Sequence, residues 1–140
     1  MLTKEIQDNK KCLFCASDYH LEMILLPYIV EEIENKRITI LTQKDLEQSI
    51  KIVLDKINID EKLKEKILNL NWNKKEFKKI ENEKEEIIII NGDYEFIIET
   101  NRRINDVKAE IIDCYHIGDI NVDIEKLSQN YKQILNTRKI

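Results

Sequence analysis

The sequence predicts an α/β domain in three layers, in which a mainly parallel sheet of about four strands is covered on both faces by helices, as in Rossmann-like folds. Two observations lead to this prediction. Short β-branched or apolar runs alternate along the chain with segments whose apolar residues recur at helical spacing. The run "IIIINGD" at 87–93 is apolar without alternation, which is typical of a strand covered on both faces. We expect residues 1–140 to form one domain, because this length suits one continuous core.

The first strand and helix lie within residues 11–34. An apolar run at 11–16 predicts a strand, and Ser17 or Asp18 can accept hydrogen bonds from the free amides of a following helix. Pro27 lies inside the helical pattern; since it lacks an amide donor, we expect a kink there or a fresh helix start. The apolar stripe leaves four glutamates mostly off it, namely Glu22, Glu31, Glu32 and Glu34; it consists of Leu21, Ile24, Leu25, Tyr28, Ile29 and Ile33.

The second unit repeats this pattern. The β-branched residues at 37–41 predict a strand, and "TQKD" at 42–45 has the spacing of a capping box, which predicts that a helix starts there. A further short helix is expected after Asp60. The apolar positions of the two helices are Leu46, Ile50, Val53, Leu54 and Ile57, and then Leu63, Ile67 and Leu70.

A charged segment at 73–86 separates the chain into two halves. Its lysines and glutamates neutralise one another within a short distance, which favours a solvated helix or linker over a docking patch. The second half continues with the strand at 87–93, a helix, a strand at 109–116 and a last helix. The apolar positions of these helices are Tyr94, Ile97, Ile98 and Ile104, and then Ile124, Leu127, Tyr131, Ile134 and Leu135.

Composition excludes several classes of partner. Apolar residues make up 42% of the chain, but the longest apolar runs are far shorter than the roughly 20 residues that a membrane span needs. The formal charge of −4, from 23 basic and 27 acidic residues, provides no global field that would attract nucleic acid. Because the number of cysteines is odd and no secretory segment is visible, we expect a cytoplasmic protein without disulfides.

A small-molecule site is expected at the carboxyl ends of the strands, where ligands bind in open parallel sheets. Those ends carry the polar sequences "SDYH", "TQ", "NGD" and "HIGD". If the first and third strands are neighbours, the crevice lies between "SDYH" and "NGD". The candidate ligand-binding residues are Ser17, Asp18, His20, Asn91, Gly92, Asp93, His116 and Gly118.

Cys12 and Cys15 have the C-x-x-C spacing of many metal and redox sites, but neither chemistry is predicted here. A structural zinc ion needs four close ligands, and a strand directs these two thiols to opposite faces. We therefore expect no metal site, and cysteines that pack as small buried residues. The alternative is a thiol-imidazole cluster for redox or enzymatic chemistry, formed by Cys15, Cys114 and His116, with His20 as a further candidate.

Nucleotide chemistry is not predicted either. The chain has two glycines, Gly92 and Gly118, and no G-K-S/T sequence, so it lacks a phosphate-binding loop and we expect no cofactor. The single tryptophan, Trp72, lies in the polar sequence "NLNWN". We expect it either at the edge of the core or as an exposed anchor for a partner. The second alternative follows from the enrichment of tryptophan at binding hot spots.

Two stretches resemble the methanogen/methylotroph sensory domain family, known as MEDS. "CLFCASDYHLEMILLPYIVEEIENKRITILTQKD" is similar to its opening, where an L-F-Y-like strand leads to a P-F/Y helix, then to a strand and a capped helix. "NGDYEFIIETNRRI" and "IIDCYHIGDINVDIEKL" resemble its closing half, where a helix precedes a strand with a C-x-Y motif. The chain departs from the family at Asn35 and Lys36, which replace a G-E pair. The resemblance implies a RecA-like core without a phosphate-binding loop, and a role in sensing small molecules.

These patterns together predict a non-catalytic sensory or regulatory domain that binds a small molecule at the carboxyl edge of its sheet and signals to a separate protein. Two alternatives stay open. One is a ligand-free interaction or adaptor domain that docks a signalling protein through a helix face or Trp72. The other is a redox sensor or enzyme that uses the thiol-imidazole cluster. No nucleic-acid or membrane partner is expected, and a homodimer is one of the oligomeric states left open.

Overall fold

A computed structural model describes residues 7–75, 85–104, 108–121 and 123–136. The strands of these residues are β1 (Gln7–Cys15), β2 (Arg37–Thr42), β3 (Glu86–Gly92), β4 (Glu110–His116) and β5 (Tyr131–Ile134). The helices are α1 (Asp18–Glu32), α2 (Glu47–Lys56), α3 (Glu61–Leu68), α4 (Tyr94–Arg103) and α5 (Ile124–Ser128). All strand pairs are parallel, in the order β2-β3-β4-β1-β5. The predicted α/β class is confirmed, with a sheet of five strands instead of about four.

The sheet is the middle layer because its inner strands are apolar on both faces. In β3, Ile87 and Ile89 belong to a core that contains residues of α1, α2 and α3. Ile88 and Ile90 belong to a second core, which contains residues of α4 and α5. All four side chains are fully buried. The burial of this strand on both faces, predicted from the run at 87–93, is confirmed.

Helix α1 begins where the sequence predicts and continues past its proline. Ser17 is the N-cap residue, and its hydroxyl accepts a hydrogen bond from the backbone amide of His20 at 3.1 Å. Because the helix runs unbroken from Asp18 to Glu32, the alternative of a fresh start at Pro27 is wrong. The start of α1 follows β1 closely, which brings Ser17 and Asp18 to the carboxyl edge of the sheet.

The capping box predicted at 42–45 is wrong. Among the described residues α2 begins only at Glu47; its N-cap residue Leu46 makes no side-chain cap, and Oδ1 of Asp45 accepts from the backbone amide of Glu47 at 2.9 Å. Thr42 is the last residue of β2; its hydroxyl donates to the carbonyl oxygen of Lys44 at 2.6 Å and accepts from the side chain of Asn91 at 3.0 Å. The pattern therefore marks a polar turn at the end of a strand, because the hydroxyl that would cap a helix is used by the sheet edge.

The last predicted helix is wrong beyond Ser128. Helix α5 ends there, and Tyr131–Ile134 forms β5, which pairs in parallel with β1. Leu127 of α5 and Tyr131 of β5 are buried in the same core. Their spacing in sequence is that of one helical stripe, although the two residues belong to different elements. Ile134 is 41% exposed, which fits an edge strand better than the buried stripe of a helix.

Trp72 lies in the core and not on the surface. Its side chain is 1% exposed and packs with residues of α1, α2 and α3. The indole N–H donates to the carbonyl oxygen of Ile67 at 2.8 Å, which satisfies its polar atom inside the core. The partner-anchor interpretation of Trp72 is therefore corrected, because a buried ring offers no surface to another protein.

The charged segment predicted at 73–86 falls largely outside the described residues, which omit 76–84. Its solvated character stays a prediction. In the ranges that the structure describes, no helix is both long enough and apolar enough to cross a membrane.

Candidate functional site

A pocket of about 240 Å³ lies at the carboxyl ends of β2, β3 and β4, next to the start of α1. This is the edge at which open parallel sheets bind their ligands. Its walls are formed by Asp18, Gln43, Lys44, Asn91, Gly92, Asp93, His116 and Asp119. We take this pocket as the candidate ligand site.

Most of the predicted ligand-binding residues meet at this pocket, namely Asp18, Asn91, Gly92, Asp93 and His116. The other three, Ser17, His20 and Gly118, do not line this pocket. Ser17 caps α1, and the ring of His20 accepts a hydrogen bond at Nδ1 from the backbone amide of Ala16 at 3.0 Å. Gly118 lies in a short 3₁₀ turn after β4 and faces open space. Ligand binding by any of these residues stays a prediction.

Three residues of the pocket are absent from the predicted site. The strand-end rule points to Gln43 and Asp119, since they lie in the polar sequences that follow β2 and β4. No signal in the sequence points to Lys44, because the capping-box pattern assigns it to a helical turn. Its role becomes visible only in three dimensions, where its ammonium lies 2.6 Å from a carboxylate oxygen of Asp18.

The strand order also changes the expected position of the crevice. The sequence places it between the loops after the first and third strands, on condition that these strands are neighbours. They are not, because β4 lies between β1 and β3. His116, the last residue of β4, therefore lies between the ends of the other two strands, where its ring can reach Cys15 on one side and Asn91 on the other.

A chain of hydrogen bonds follows this edge from β1 to the turn after β2. The sulfur of Cys15 lies 3.5 Å from Nδ1 of His116, and Nε2 of His116 lies 2.8 Å from Oδ1 of Asn91. The amide nitrogen of Asn91 donates to the hydroxyl of Thr42 at 3.0 Å, and that hydroxyl donates to the carbonyl oxygen of Lys44 at 2.6 Å. Side chains from β1, β4, β3 and β2 are thus connected in one line.

The single hydroxyl proton of Thr42 fixes the direction of these hydrogen bonds. Because it is donated to Lys44, Thr42 must accept from Asn91, which leaves the amide oxygen of Asn91 for His116. Nε2 of His116 then donates to that oxygen, and Nδ1 is free to accept from the thiol of Cys15. We assign this tautomer from the network of partners.

Gln43 joins the loops that follow β2 and β3. Its backbone amide donates to the carbonyl oxygen of Asn91 at 2.8 Å, its Oε1 accepts from the backbone amide of Asp93 at 2.8 Å, and its Nε2 donates to Oδ2 of Asp93 at 3.2 Å. A Cβ atom at Gly92 would lie 2.9 Å from Oε1 of Gln43 and would overlap the ring of Phe96. Gly92 therefore permits close packing of the loops, which is a different role from admitting a phosphate.

Two carboxylates occupy the helix starts beside the pocket. Asp93 is the N-cap of α4, and its Oδ1 accepts from the backbone amide of Phe96 at 2.8 Å. Asp18 is in the first turn of α1 and pairs with Lys44. The pKa of Lys44 is raised, chiefly because its ammonium donates a hydrogen bond to Asp18. The chain's own carboxylates therefore complement the positive ends of both helices.

Of the predicted thiol-imidazole cluster, Cys15 and His116 lie within hydrogen-bonding distance, and Cys114 packs in the same core as Cys15. Cys114 is fully buried, and burial raises the pKa of its thiol well above the ordinary value. Burial, together with the carboxylates of Asp18 and Asp119, raises the pKa of Cys15 to about 12. A thiol in this state donates a hydrogen bond to the imidazole and is not a ready nucleophile.

Cys12 and Cys15 pack into different cores on opposite faces of the sheet, as predicted for a strand. In the part of the chain that the structure describes, no three side chains of His, Cys, Asp or Glu are arranged to hold a metal ion. The C-x-x-C spacing therefore reflects two packing positions of β1.

No protein-family model, no curated protein and no solved structure matches this chain. The resemblance to the MEDS family stays a prediction, and the function has to be inferred from the pocket itself.

Proposed function

We propose that this protein is a non-catalytic sensory or regulatory domain that binds a small molecule at the carboxyl edge of its sheet and transmits the bound state to a separate protein. The observation that carries this proposal is the hydrogen-bond chain from Cys15 to Lys44. Because the chain connects the ends of four strands around one pocket, a ligand that contacts His116 or Asn91 acts on all of these loops together.

The pocket suits a small polar ligand. Its volume of about 240 Å³ is slightly below the usual range for drug-sized ligands, and its walls are polar except at Gly92. Asn91 is 1% exposed and is held by both Thr42 and His116, so its position is fixed before any ligand arrives. A site fixed in this way needs little rearrangement on binding, which favours affinity.

Two features support the non-catalytic part of the proposal. The thiol of Cys15 is fully buried and has a raised pKa, whereas a nucleophile must ionise and reach its substrate. After β3 the backbone amide of Asp93 donates to Oε1 of Gln43 and that of Phe96 donates to Oδ1 of Asp93, so neither amide is open to a phosphate.

Transmission is proposed through the helices that begin at the pocket. Asp18 and Asp93 line the pocket and are also part of the starts of α1 and α4, which lie on opposite faces of the sheet. A ligand shifts a conformation only by its differential affinity for two states. Small displacements of these two helix starts are therefore the expected signal to a partner.

A thermal-shift screen of small polar metabolites, followed by amide hydrogen exchange with the best hit, tests this proposal. We expect protection at residues 17–26 and 91–98. The substitution Asp119→Asn should change the affinity for the hit without loss of folding, because Asp119 is exposed and lines the pocket. The matched control is Asp55→Asn, an exposed acid on α2, which should bind as the unmodified chain does. Protection elsewhere, with both strand-end loops unchanged, would favour the ligand-free interaction domain.

A further inference from the structure

We infer that the pocket at the carboxyl edge takes an organic cation, that is, the primary ammonium or guanidinium group of its ligand. This inference rests on the proposed function, because it names the chemical class of ligand for the same pocket. It follows from the charges on the pocket wall, from the occupation of the helix starts, and from a buried carboxyl group beneath the wall.

Carboxylates outnumber cations on the pocket wall. Asp18, Asp93 and Asp119 line it, and Lys44 is the one lysine or arginine among its lining residues. Lys44 pairs with Asp18 at 2.6 Å and also attracts Asp119, so one ammonium faces three carboxylates on the wall. A ligand anion would approach like charges at short range, whereas a ligand cation would approach opposite ones.

The helix starts at the pocket, where an anion usually binds, already carry carboxylates of the chain. Phosphates and carboxylates bind at helix N-termini, where free amides and the helix dipole attract them. At α4 the carboxylate of Asp93 takes the amide of Phe96, and at α1 the side chain of Ser17 takes the amide of His20 while Asp18 supplies a negative charge. An anionic ligand at either helix start would therefore meet a carboxylate of the chain itself.

Lys44 acts as an internal competitor for the same carboxylate. Its side chain is 68% exposed, and its ammonium reaches Asp18 from the turn after β2. The pair is weak on the lysine side, because the ammonium of Lys44 stays largely hydrated, whereas the side chain of Asp18 is 22% exposed. A ligand ammonium can therefore exchange with that of Lys44, and removal of the lysine should strengthen the binding of a cation.

A further carboxyl group lies one helical turn below Asp18. Glu22 is fully buried; its Oε1 accepts from the hydroxyl of Ser49 at 2.6 Å, and its Oε2 has no hydrogen-bond partner among the described residues. Burial is the main cause of the raised pKa of Glu22, and repulsion from the charge of Asp18 adds to it. A cation bound at Asp18 relieves this repulsion, so the buried carboxyl group adds to the preference for positive charge.

An organic cation fits better than a metal ion. Within the described ranges no three acidic, histidine or cysteine side chains converge on one point as metal coordination requires. Ammonium and guanidinium groups need acceptors that are spread around them, as these carboxylates are.

The test is an NMR titration of the full chain with n-butylammonium, n-butanol and butyrate, which share a hydrocarbon chain and differ in the charge of the head group. We expect the amide signals of residues 17–19, 43–44, 91–93 and 116–119 to shift most with butylammonium, less with butanol and least with butyrate. A parallel titration with the peptide acetyl-Ala-Lys-Ala-amide separates two sources of the cation. Stronger binding of the peptide identifies a lysine of a partner protein, and stronger binding of the free amine identifies a small molecule.

Single substitutions show whether each charge on the pocket wall strengthens or weakens the binding of a cation. Lys44→Ala should tighten the binding of butylammonium by about two- to fivefold, the range that corresponds to an exposed ion pair, and Asp119→Asn should weaken it by about the same factor. Lys51→Ala, which removes an exposed lysine from α2, is the matched control and should leave the affinity unchanged.

The outcomes separate this inference from the proposed function. Preferred binding of butyrate, lost in Lys44→Ala, would overturn the cation inference and keep the pocket as a ligand site. Equal binding of all three probes would also overturn the cation inference and keep the pocket as a ligand site. Protection of the pocket loops from hydrogen exchange by a neutral or anionic metabolite would have the same meaning. If neither the probes nor the metabolite screen affected these loops, the inference and the proposed function would both fail.

Discussion

Among the described residues one carboxyl group is buried on each side of the sheet, and the two groups have different partners. On the side of α4, Asp113 of β4 is fully buried. Its Oδ1 accepts from the amide of Asn101 at 3.0 Å, and its Oδ2 accepts from the hydroxyl of Tyr131 and lies 3.2 Å from the ammonium of Lys10. Tyr131 in turn accepts a hydrogen bond from the hydroxyl of Tyr115. This carboxylate has a cation and a complete set of donors.

On the side of α1, Glu22 is buried to the same extent but has far fewer partners. The hydroxyl of Ser49 in α2 is its hydrogen-bond donor, and Oε2 has no partner in the described part of the chain. Burial raises the pKa of Glu22 to about 7, the hydrogen bond from Ser49 opposes this shift, and the charge of Asp18 adds to it.

The difference assigns separate roles to the two groups. A buried charge is tolerated when a cation and hydrogen-bond donors surround it, and it is costly when they do not. Asp113 therefore ties β1, β4, β5 and α4 together through fixed contacts. Glu22 makes the contact between α1 and α2 sensitive to pH, because its single donor compensates little of the cost of its ionisation.

The largest effect is expected when the well-partnered carboxylate is removed. Asp113→Ala should lower the free energy of unfolding by about 3–5 kcal/mol, because Lys10 and the hydroxyl of Tyr131 lose their buried acceptor. Urea denaturation measures this loss. Asp55→Ala, at an exposed position of α2, is the control and should change the free energy by less than about 0.5 kcal/mol. A loss of under about 1 kcal/mol in Asp113→Ala would contradict the structural role of its network.

Neither carboxyl network could be predicted from the sequence, although the layers that contain them could. Periodicity is local, so the apolar runs of β3 and the stripe of α1 identify a buried strand and a covering helix. Glu22 lies off that stripe and is nevertheless buried, because α2 packs against this side of α1. The partners of Asp113 come from β1, α4 and β5, and their meeting depends on a strand order that no local pattern contains.

The pocket illustrates the same limit. The rule that ligands bind at the carboxyl ends of parallel strands is enough to find Asp18, Asn91 and His116. It cannot find the ion pair between Asp18 and Lys44, because the turn that carries Lys44 resembles the start of a helix in sequence. The end of a strand can be recognised from local sequence, whereas a contact between distant loops depends on the strand order.

The second prediction concerns the pH dependence that Glu22 imposes. Its pKa is about 7 in the folded protein against an ordinary value of 4.5, so the folded state holds this proton more tightly than the unfolded state. The resulting stability is complete below pH 4.5, falls as the pH rises through the interval from 4.5 to about 7, and stays lost above it. The fall that Glu22 contributes should be about 3 kcal/mol.

Glu22→Gln removes this titration. Above a pH of about 7 the variant should be more stable than the unmodified chain, by about 1–3 kcal/mol, because it places no charge in the core. Urea denaturation at a series of pH values measures both curves. Glu65→Gln, at an exposed position of α3, is the matched control and should follow the curve of the unmodified chain. Parallel curves for Glu22→Gln and the unmodified chain would show that Glu22 does not titrate in this interval.

The smallest effect is expected at the two cysteines that β1 directs to opposite faces. Cys12 packs in the core of α4 and α5, so Cys12→Ala should remove packing alone, at a cost of about 1 kcal/mol in the free energy of unfolding. Cys15 packs on the other face and also lies within hydrogen-bonding distance of Nδ1 of His116. Cys15→Ala should therefore cost about 1 kcal/mol more, because it also leaves that nitrogen without a donor.

Cys15→Ser separates packing from hydrogen bonding, because a serine hydroxyl can also donate to His116. It should keep the imidazole nitrogen signals of His116 close to those of the unmodified chain, whereas Cys15→Ala should shift them, and Cys12→Ala should leave them unchanged. Elemental analysis of the same samples should find no stoichiometric zinc, since the two thiols face different cores. One zinc ion per chain, or equal His116 signals in all three variants, would contradict the separation of the two thiols and with it the role of Cys15 at the start of the hydrogen-bond chain.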